Sequence, residues 1–129
     1  MPDQLLRILV VDDSRDNADI IKQYLGATRR YTVDVAYDGA DALRSFRSVR
    51  PDIVLLDVMM PGVDGWEVCR QMKSDRGQAG RTRVIMVTAR DDLGDKRTAL
   101  ETGADDFLEK PLDLSKLMAA VQRNASALA

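Results

Sequence analysis

Three unbroken apolar runs limit what this chain can fold into: Ile8–Val11, Ile53–Leu56 and Val84–Val87. A half-buried strand alternates apolar and polar residues. A run with no polar face has to be covered on both sides, as strands of a parallel sheet are. Tyr31–Val35 does alternate, so it belongs nearer an edge, and Asp106–Glu109 is a shorter candidate strand.

Helical spacing fills the intervals. Ile20, Ile21, Tyr24 and Leu25 mark a first helix, and Ala40, Leu43 and Phe46 a second. Val68, Cys69 and Met72 mark a third, and Leu114, Leu117, Met118 and Val121 the last. Ser14, Asp38, Asp64 and Asp113 stand where N-caps are wanted, and Glu67 follows Asp64 at capping-box spacing. Asp91–Thr102 is a weaker helix: only Leu93 and Leu100 mark its inward face strongly, and Gly94 costs up to about 1 kcal/mol relative to Ala. The small residues after Val121 read as a fraying tail. The order is therefore βα repeated five times, an α/β fold with a doubly wound parallel sheet, right-handed crossovers and helices on both faces. The 129 residues form one domain, 1–129, with a core from about 6 to 123.

Composition removes several chemistries. The chain has no histidine, which excludes Ser-His and Cys-His catalysis and any phosphohistidine of its own. One cysteine, Cys69, excludes an intrachain disulfide and a cysteine zinc site. It reads as a small buried hydrophobe and fits a reducing, cytoplasmic setting. Nineteen Lys and Arg against 21 Asp and Glu give a net charge of −2. With a pI near 5.1, a broad nucleic-acid footprint is not expected. Ile8–Val11 is far too short to span a membrane and lacks the features of a signal peptide.

In such sheets, ligands bind outside the carboxyl ends of the strands, where strand order reverses. The first run ends at Asp12-Asp13, the second at Asp57, the third at Thr88, and the last strand near Lys110. If the first two of these strands are neighbours, Asp12, Asp13 and Asp57 converge. Three carboxylates repel one another unless a cation sits among them, and a hard, oxygen-ligated ion such as Mg²⁺ answers this. A carboxylate beside Mg²⁺ can attack phosphorus and form an aspartyl phosphate. Lys110 would offset charge on the phosphoryl oxygens, and Thr88 could hydrogen-bond one of them. Each residue alone has a plainer reading. Asp12 or Ser14 can cap a helix, Asp57 can form a turn before Pro61-Gly62, Thr88 can simply end a strand, and Lys110 can be a solvated lysine. Their coincidence at the ends of strands expected to be adjacent favours the site.

At these residues the chain resembles the receiver domain of two-component response regulators. The resemblance rests on Ile8–Ser14, Asp52–Gly65, Val84–Ala89 and Gly103–Pro111, in order and at the family's spacing. It covers essentially the whole chain. It implies a flavodoxin-like three-layer sandwich with strand order 2-1-3-4-5. It implies that Asp57 is the phosphoacceptor and that Mg²⁺, or Mn²⁺ in its place, is held by Asp13, by Asp12 through water, by Asp57 and by the Met59 carbonyl. Thr88 and Lys110 would bind the phosphoryl group, with a cis Lys110–Pro111 bond aiming Lys110 inward. Thr88 and Phe107 would form the switch, although Phe107 lacks the hydroxyl of the tyrosine common there. Met59 and Arg90 would tune phosphoryl lifetime. Trp66 stands near the site, in a packing role or as a fluorescent reporter.

The implied function is a phosphorylation-activated switch that catalyses only its own phosphorylation and dephosphorylation. The phosphoryl donor would be a histidine kinase or histidine phosphotransfer protein, with Asp16, Asn17 and Ile20 as candidate contacts. The output would pass to a protein target through the fourth helix, fifth strand and fifth helix. Direct nucleic-acid or membrane binding is not expected. The chain would act as a monomer or a phosphorylation-dependent dimer, either alone or within a larger regulator or hybrid kinase. Two other classes fit less well. An aspartyl hydrolase or phosphotransferase wants an acid two residues after its nucleophile, where Met59 stands. A flavin-binding module wants a Ser/Thr/Gly phosphate loop where Asp12-Asp13-Ser14 stands.

Overall fold

The computed structural model describes residues 5–60, 63–74, 81–88 and 103–128. Its elements are β1 (Leu6–Val11), α1 (Arg15–Gly26), β2 (Tyr31–Ala36), α2 (Gly39–Val49), β3 (Ile53–Asp57), β4 (Met59–Met60), β5 (Val63–Asp64), α3 (Gly65–Ser74), β6 (Arg83–Thr88), β7 (Asp106–Glu109) and α4 (Leu114–Ala127). Five strands form a parallel sheet in the order β2-β1-β3-β6-β7. Counted along the chain, the order of these five is 2-1-3-4-5, as the resemblance implies. β4 and β5 form a separate antiparallel pair, Met59 opposite Asp64.

The apolar runs are unbroken because both faces of the sheet are covered. Leu9, Val11, Val54, Leu56, Val84 and Met86 join Phe46 of α2 and Val68, Cys69 and Met72 of α3 in one core layer. The alternate residues Ile8, Val10, Ile53, Leu55, Ile85 and Val87 pack with Ile21 and Leu25 of α1 and Leu117 and Val121 of α4 in the other. Full burial of each large aliphatic contributes about 1.5–3 kcal/mol, so neither face tolerates a polar residue in mid-run. The helix starts lie where their caps stand. Ser14 Oγ accepts from the Asn17 N–H, Asp38 Oδ1 from Asp41 and Asp113 Oδ1 from Ser115. Asp64 Oδ1 accepts from the Trp66 N–H ahead of α3, while Glu67 pairs with Arg70 at 2.7 Å.

The structure differs from three sequence expectations. Ile20 is 52% exposed, and Ala18 takes the inward place beside Ile21 and Leu25. Ile20 and Ile21 are a hundred degrees apart on the helix, so both cannot face the sheet. Ala40 is exposed, and α2 instead turns Gly39, Ala42 and Phe46 inward. The expected fraying tail is helical through Ala127. Its anchor is Asn124, a buried polar residue. Asn124 Oδ1 accepts from Arg83 Nε at 3.0 Å, and its Nδ2 donates to Asp106 Oδ2 at 2.9 Å and to the Ala120 carbonyl at 2.8 Å. The helix expected over Asp91–Thr102, the Pro61-Gly62 turn and Arg90 lie outside the described residues.

Burial alone would raise the Asp106 carboxyl. Hydrogen bonds from Arg123, the Phe107 N–H and Asn124 outweigh that and hold it below its ordinary value of 3.8. A depressed folded-state value contributes stability above pH 3.8, lost as pH falls through the folded value. Asp106→Asn is therefore expected to flatten the loss of stability below that pH in acid titrations of unfolding. Asn124→Ala removes a buried amide that bridges the half-buried Arg83 guanidinium and Asp106 carboxylate, and is expected to destabilise by about 1–3 kcal/mol in urea denaturation.

Candidate functional site

Parallel register puts the chemistry on one edge. Val11 pairs with Leu56, so the next residues, Asp12 and Asp57, leave β1 and β3 side by side. Asp57 pairs with Val87, and Thr88 with Glu109, which brings Thr88 and Lys110 to the same edge. Asp12 is 6% exposed and Asp57 3% exposed, while Asp13 faces solvent. One carboxylate oxygen from each of the three lies within 4.8 Å of the others.

Each buried carboxylate is held by the backbone just after it. Asp12 Oδ1 accepts from the Ser14 N–H and Asp57 Oδ1 from the Met59 N–H, both at 2.9 Å. The Lys110 ammonium straddles Asp57, with Nζ 3.0 Å from Oδ2 and 3.0 Å from Oδ1. Lys110 reaches there from β7, where its own N–H donates to the Thr88 carbonyl at 2.8 Å. The Lys110–Pro111 bond is cis, as the resemblance implies. Burial pushes the Asp12 carboxyl above its ordinary value. The Ser14 N–H opposes this, the Asp57 charge adds to it, Lys110 opposes it, and Asp13 adds to it. Three carboxylates against one ammonium leave −3 + 1 = −2 at this point of the molecule. The donor set is hard oxygen only, which fits a small divalent cation of the Mg²⁺ kind.

The remaining residues singled out from the sequence fall around this cluster. Thr88 is buried at the end of β6. Phe107 is partly buried and packs against the core layer under α2 and α3. Met59 is 59% exposed next to the site. Trp66 packs against the same core layer as Phe107, and Cys69 is fully buried there. Asn17 and Ile20 line a groove of about 460 Å³ with Asp12, Lys110, Pro111 and Leu112. Asp16 is exposed on the same helix but is not part of that lining.

Two residues at this edge escaped the sequence reading. Arg15 lies over the Tyr37 ring, 4.3 Å from its centroid. Gly65 starts α3 directly against the end of β3. A Cβ there would lie 2.7 Å from the Asp57 carbonyl oxygen and 2.7 Å from Val58 Cα. Only a residue without a side chain lets the helix approach this closely. The Asp64-Gly65 dipeptide signals a helix start, and nothing local in it signals a contact with Asp57.

Residues 8–122 match the response regulator receiver domain. The chain belongs to the response regulator receiver family. This receiver is 43% identical over 117 residues to the response regulator MprA of Mycobacterium ulcerans, covering 91% of the receiver and 49% of that relative. MprA of Mycobacterium tuberculosis (strain H37Rv) matches at the same identity and coverage. The receiver thus spans about half the length of the curated relatives it matches. Among solved structures, it resembles the CheY-like receiver domain protein of Methanospirillum hungatei with a TM-score of 0.88 and 27% identity, over 97% of each chain. Chemotaxis protein CheY4 of Vibrio cholerae gives 0.85 and 28%, over 93% of the receiver and 98% of that protein. Membership places the receiver among domains of phosphorylation-dependent two-component signalling, which are signalling domains and not classical enzymes. Among its described residues, no helix is long and apolar enough to cross a membrane.

The close approach at Gly65 gives a direct test of packing around Asp57. Gly65→Ala is expected to destabilise by about 1–3 kcal/mol in urea denaturation. Gly26→Ala, where nothing lies within 4 Å of the added carbon, is expected to be neutral or slightly stabilising.

Proposed function

We propose that this receiver accepts a phosphoryl group on Asp57 from a phosphohistidine of a partner kinase or phosphotransfer protein, in a Mg²⁺-dependent reaction in the cytoplasm. The observation that carries this reading is the Lys110 ammonium straddling a nearly buried Asp57 carboxylate beside two further acids. An Asp57 oxygen attacks phosphorus, the P–N bond to the imidazole breaks, and the imidazole leaves with a proton, so the product is an acyl phosphate. Lys110 then donates to a phosphoryl oxygen, and the Thr88 hydroxyl to another. The Met59 N–H, already on Asp57 Oδ1, keeps the carboxylate oriented through the transfer.

Asp12, Asp13, Asp57 and the Met59 carbonyl would hold the metal. When bound, Mg²⁺ supplies positive charge to the phosphoryl oxygens and relieves repulsion among the acids. The groove beside Asp12 and Lys110 supports donor docking there, with Asn17 and Ile20 as contacts. The exposure of Ile20 fits that role better than a core role. Output passes through Thr88 and Phe107 to β7, α4 and the 91–102 segment, and from there to a protein target. Phe107 is the half-buried group able to register a shift of Thr88, since their strands are paired.

Intact-mass measurement after incubation with acetyl phosphate tests this reading. One phosphate adduct is expected, requiring Mg²⁺ and absent from Asp57→Ala. Lys110→Ala is expected to slow its formation by about a hundredfold. An adduct that survives Asp57→Ala would place the acceptor elsewhere. If neither acetyl phosphate nor beryllofluoride gave any Mg²⁺-dependent response, the protein would be a phosphorylation-independent binding module.

A further inference from the structure

The opposite edge of the sheet, at the amino ends of the strands, concentrates positive charge. Arg7 is the second residue of β1, Arg29 and Arg30 precede β2, and Arg47 and Arg50 end α2 ahead of β3. These three strands are neighbours. The Leu6 N–H donates to the Arg30 carbonyl, and the Arg7 carbonyl accepts from the Asp52 N–H. Arg7 Nη1 donates to the Val49 carbonyl at 2.9 Å, beside Arg50. All five arginines are exposed. The acid among them, Asp52, accepts the Arg7 backbone N–H at 2.8 Å.

Three further observations bear on this rim. Arg44, Arg70, Arg83 and Arg123 are each ion-paired, whereas Arg29, Arg30, Arg47 and Arg50 have no ion pair among the described residues. The backbone also works against two of them. Arg29 and Arg50, at φ 59° and 54°, are the non-glycine residues with positive φ among those described. Glycine takes this conformation without the steric conflict of a Cβ, both at a helix C-cap such as Arg50 and in a turn such as the one holding Arg29 after α1. Arginine stands at both positions instead. In addition, Arg30 lines two adjoining grooves of about 500 and 330 Å³, walled by Leu6, Tyr31, Met118, Gln122 and Ala125.

We propose that this edge docks an acidic polypeptide segment of a protein partner. Its carboxylates meet the guanidinium forks, which match carboxylates bidentately, and an apolar side chain enters the groove beside Arg30. A nucleic-acid duplex fits less well. The groove walls mix apolar side chains (Leu6, Met118 and Ala125) with polar ones, and the chain as a whole is acidic, with a net charge of −2. The site lies at the far end of the strands from Asp57, so docking does not depend on the phosphorylation reading.

Amide NMR titration of the full chain tests the proposal, with a repeating Glu-Glu-Leu peptide as the probe and random-sequence duplex DNA as the second arm. Saturable, salt-sensitive shifts from the peptide are expected at residues 6–7, 28–31, 50–52 and 122–126. Combining Arg29→Gly with Arg50→Gly is expected to weaken peptide binding roughly tenfold. The same change is expected to leave Tm unchanged or raised, because glycine relieves both left-handed positions. If that protein does not fold, Arg30→Gln is expected to weaken binding with Tm unchanged. A lower Tm with undiminished peptide binding would mean that the arginines serve the helix ends, and would overturn the proposal. Shifts at this edge from DNA but not from the peptide, or from neither, would overturn it as well.

Discussion

Two carboxylates lie almost out of water at the ends of adjacent parallel strands, with a third in reach. The register that pairs Val11 with Leu56 makes this unavoidable, because it carries Asp12 and Asp57 to the same level. Buried like charges at this spacing are unfavourable unless counter-charge is supplied. The chain supplies part of it through Lys110 and fixes each of the two buried acids with a backbone N–H. Burial, with the Asp57 and Asp13 charges adding to it, keeps the Asp12 carboxyl above its ordinary value. The site is therefore poised for added positive charge and for a group that carries it in, which is what phosphoryl transfer with a divalent cation provides.

The rest of the fold keeps that unfavourable arrangement in place. Both faces of β1, β3 and β6 are packed, so the strand ends cannot drift apart without opening a core layer. Gly65 brings α3 against the backbone of Asp57 and Val58. At the other end of the sheet, Asp105 accepts from Lys73 and from the Val84 N–H, while Asp106 and Asn124 tie β7 and β6 to α4. Lys110 leaves the carboxyl end of that same β7, so the polar ties fix the strand that delivers the ammonium to Asp57.

Much of this was legible in the amino acids, for definite reasons. Strands buried on both faces have to be apolar throughout, so Ile8–Val11, Ile53–Leu56 and Val84–Val87 could be read directly. Polar residues at the ends of such runs have few plain explanations when they coincide, so Asp12, Asp13, Asp57, Thr88 and Lys110 stood out. What stayed hidden depends on distant neighbours. Adjacent apolar residues such as Ile20 and Ile21 do not say which one faces inward. Asn124 looks like a polar tail residue until Arg83 and Asp106 are seen on either side of it. Gly65 resembles any glycine at a helix start until β3 is placed behind it. The left-handed arginines give no sign, because arginine is not a residue that marks such turns.

The central claim is that the three acids at this edge can hold a divalent cation. Thermal unfolding with and without Mg²⁺, on the unmodified protein and on Asp13→Asn, tests it most directly. Asp13→Asn keeps the size of the exposed acid and removes its charge. The account predicts that Mg²⁺ raises the Tm of the unmodified protein, and that the rise is largely lost in Asp13→Asn. An equal Mg²⁺ response in both proteins, or none in either, would contradict it.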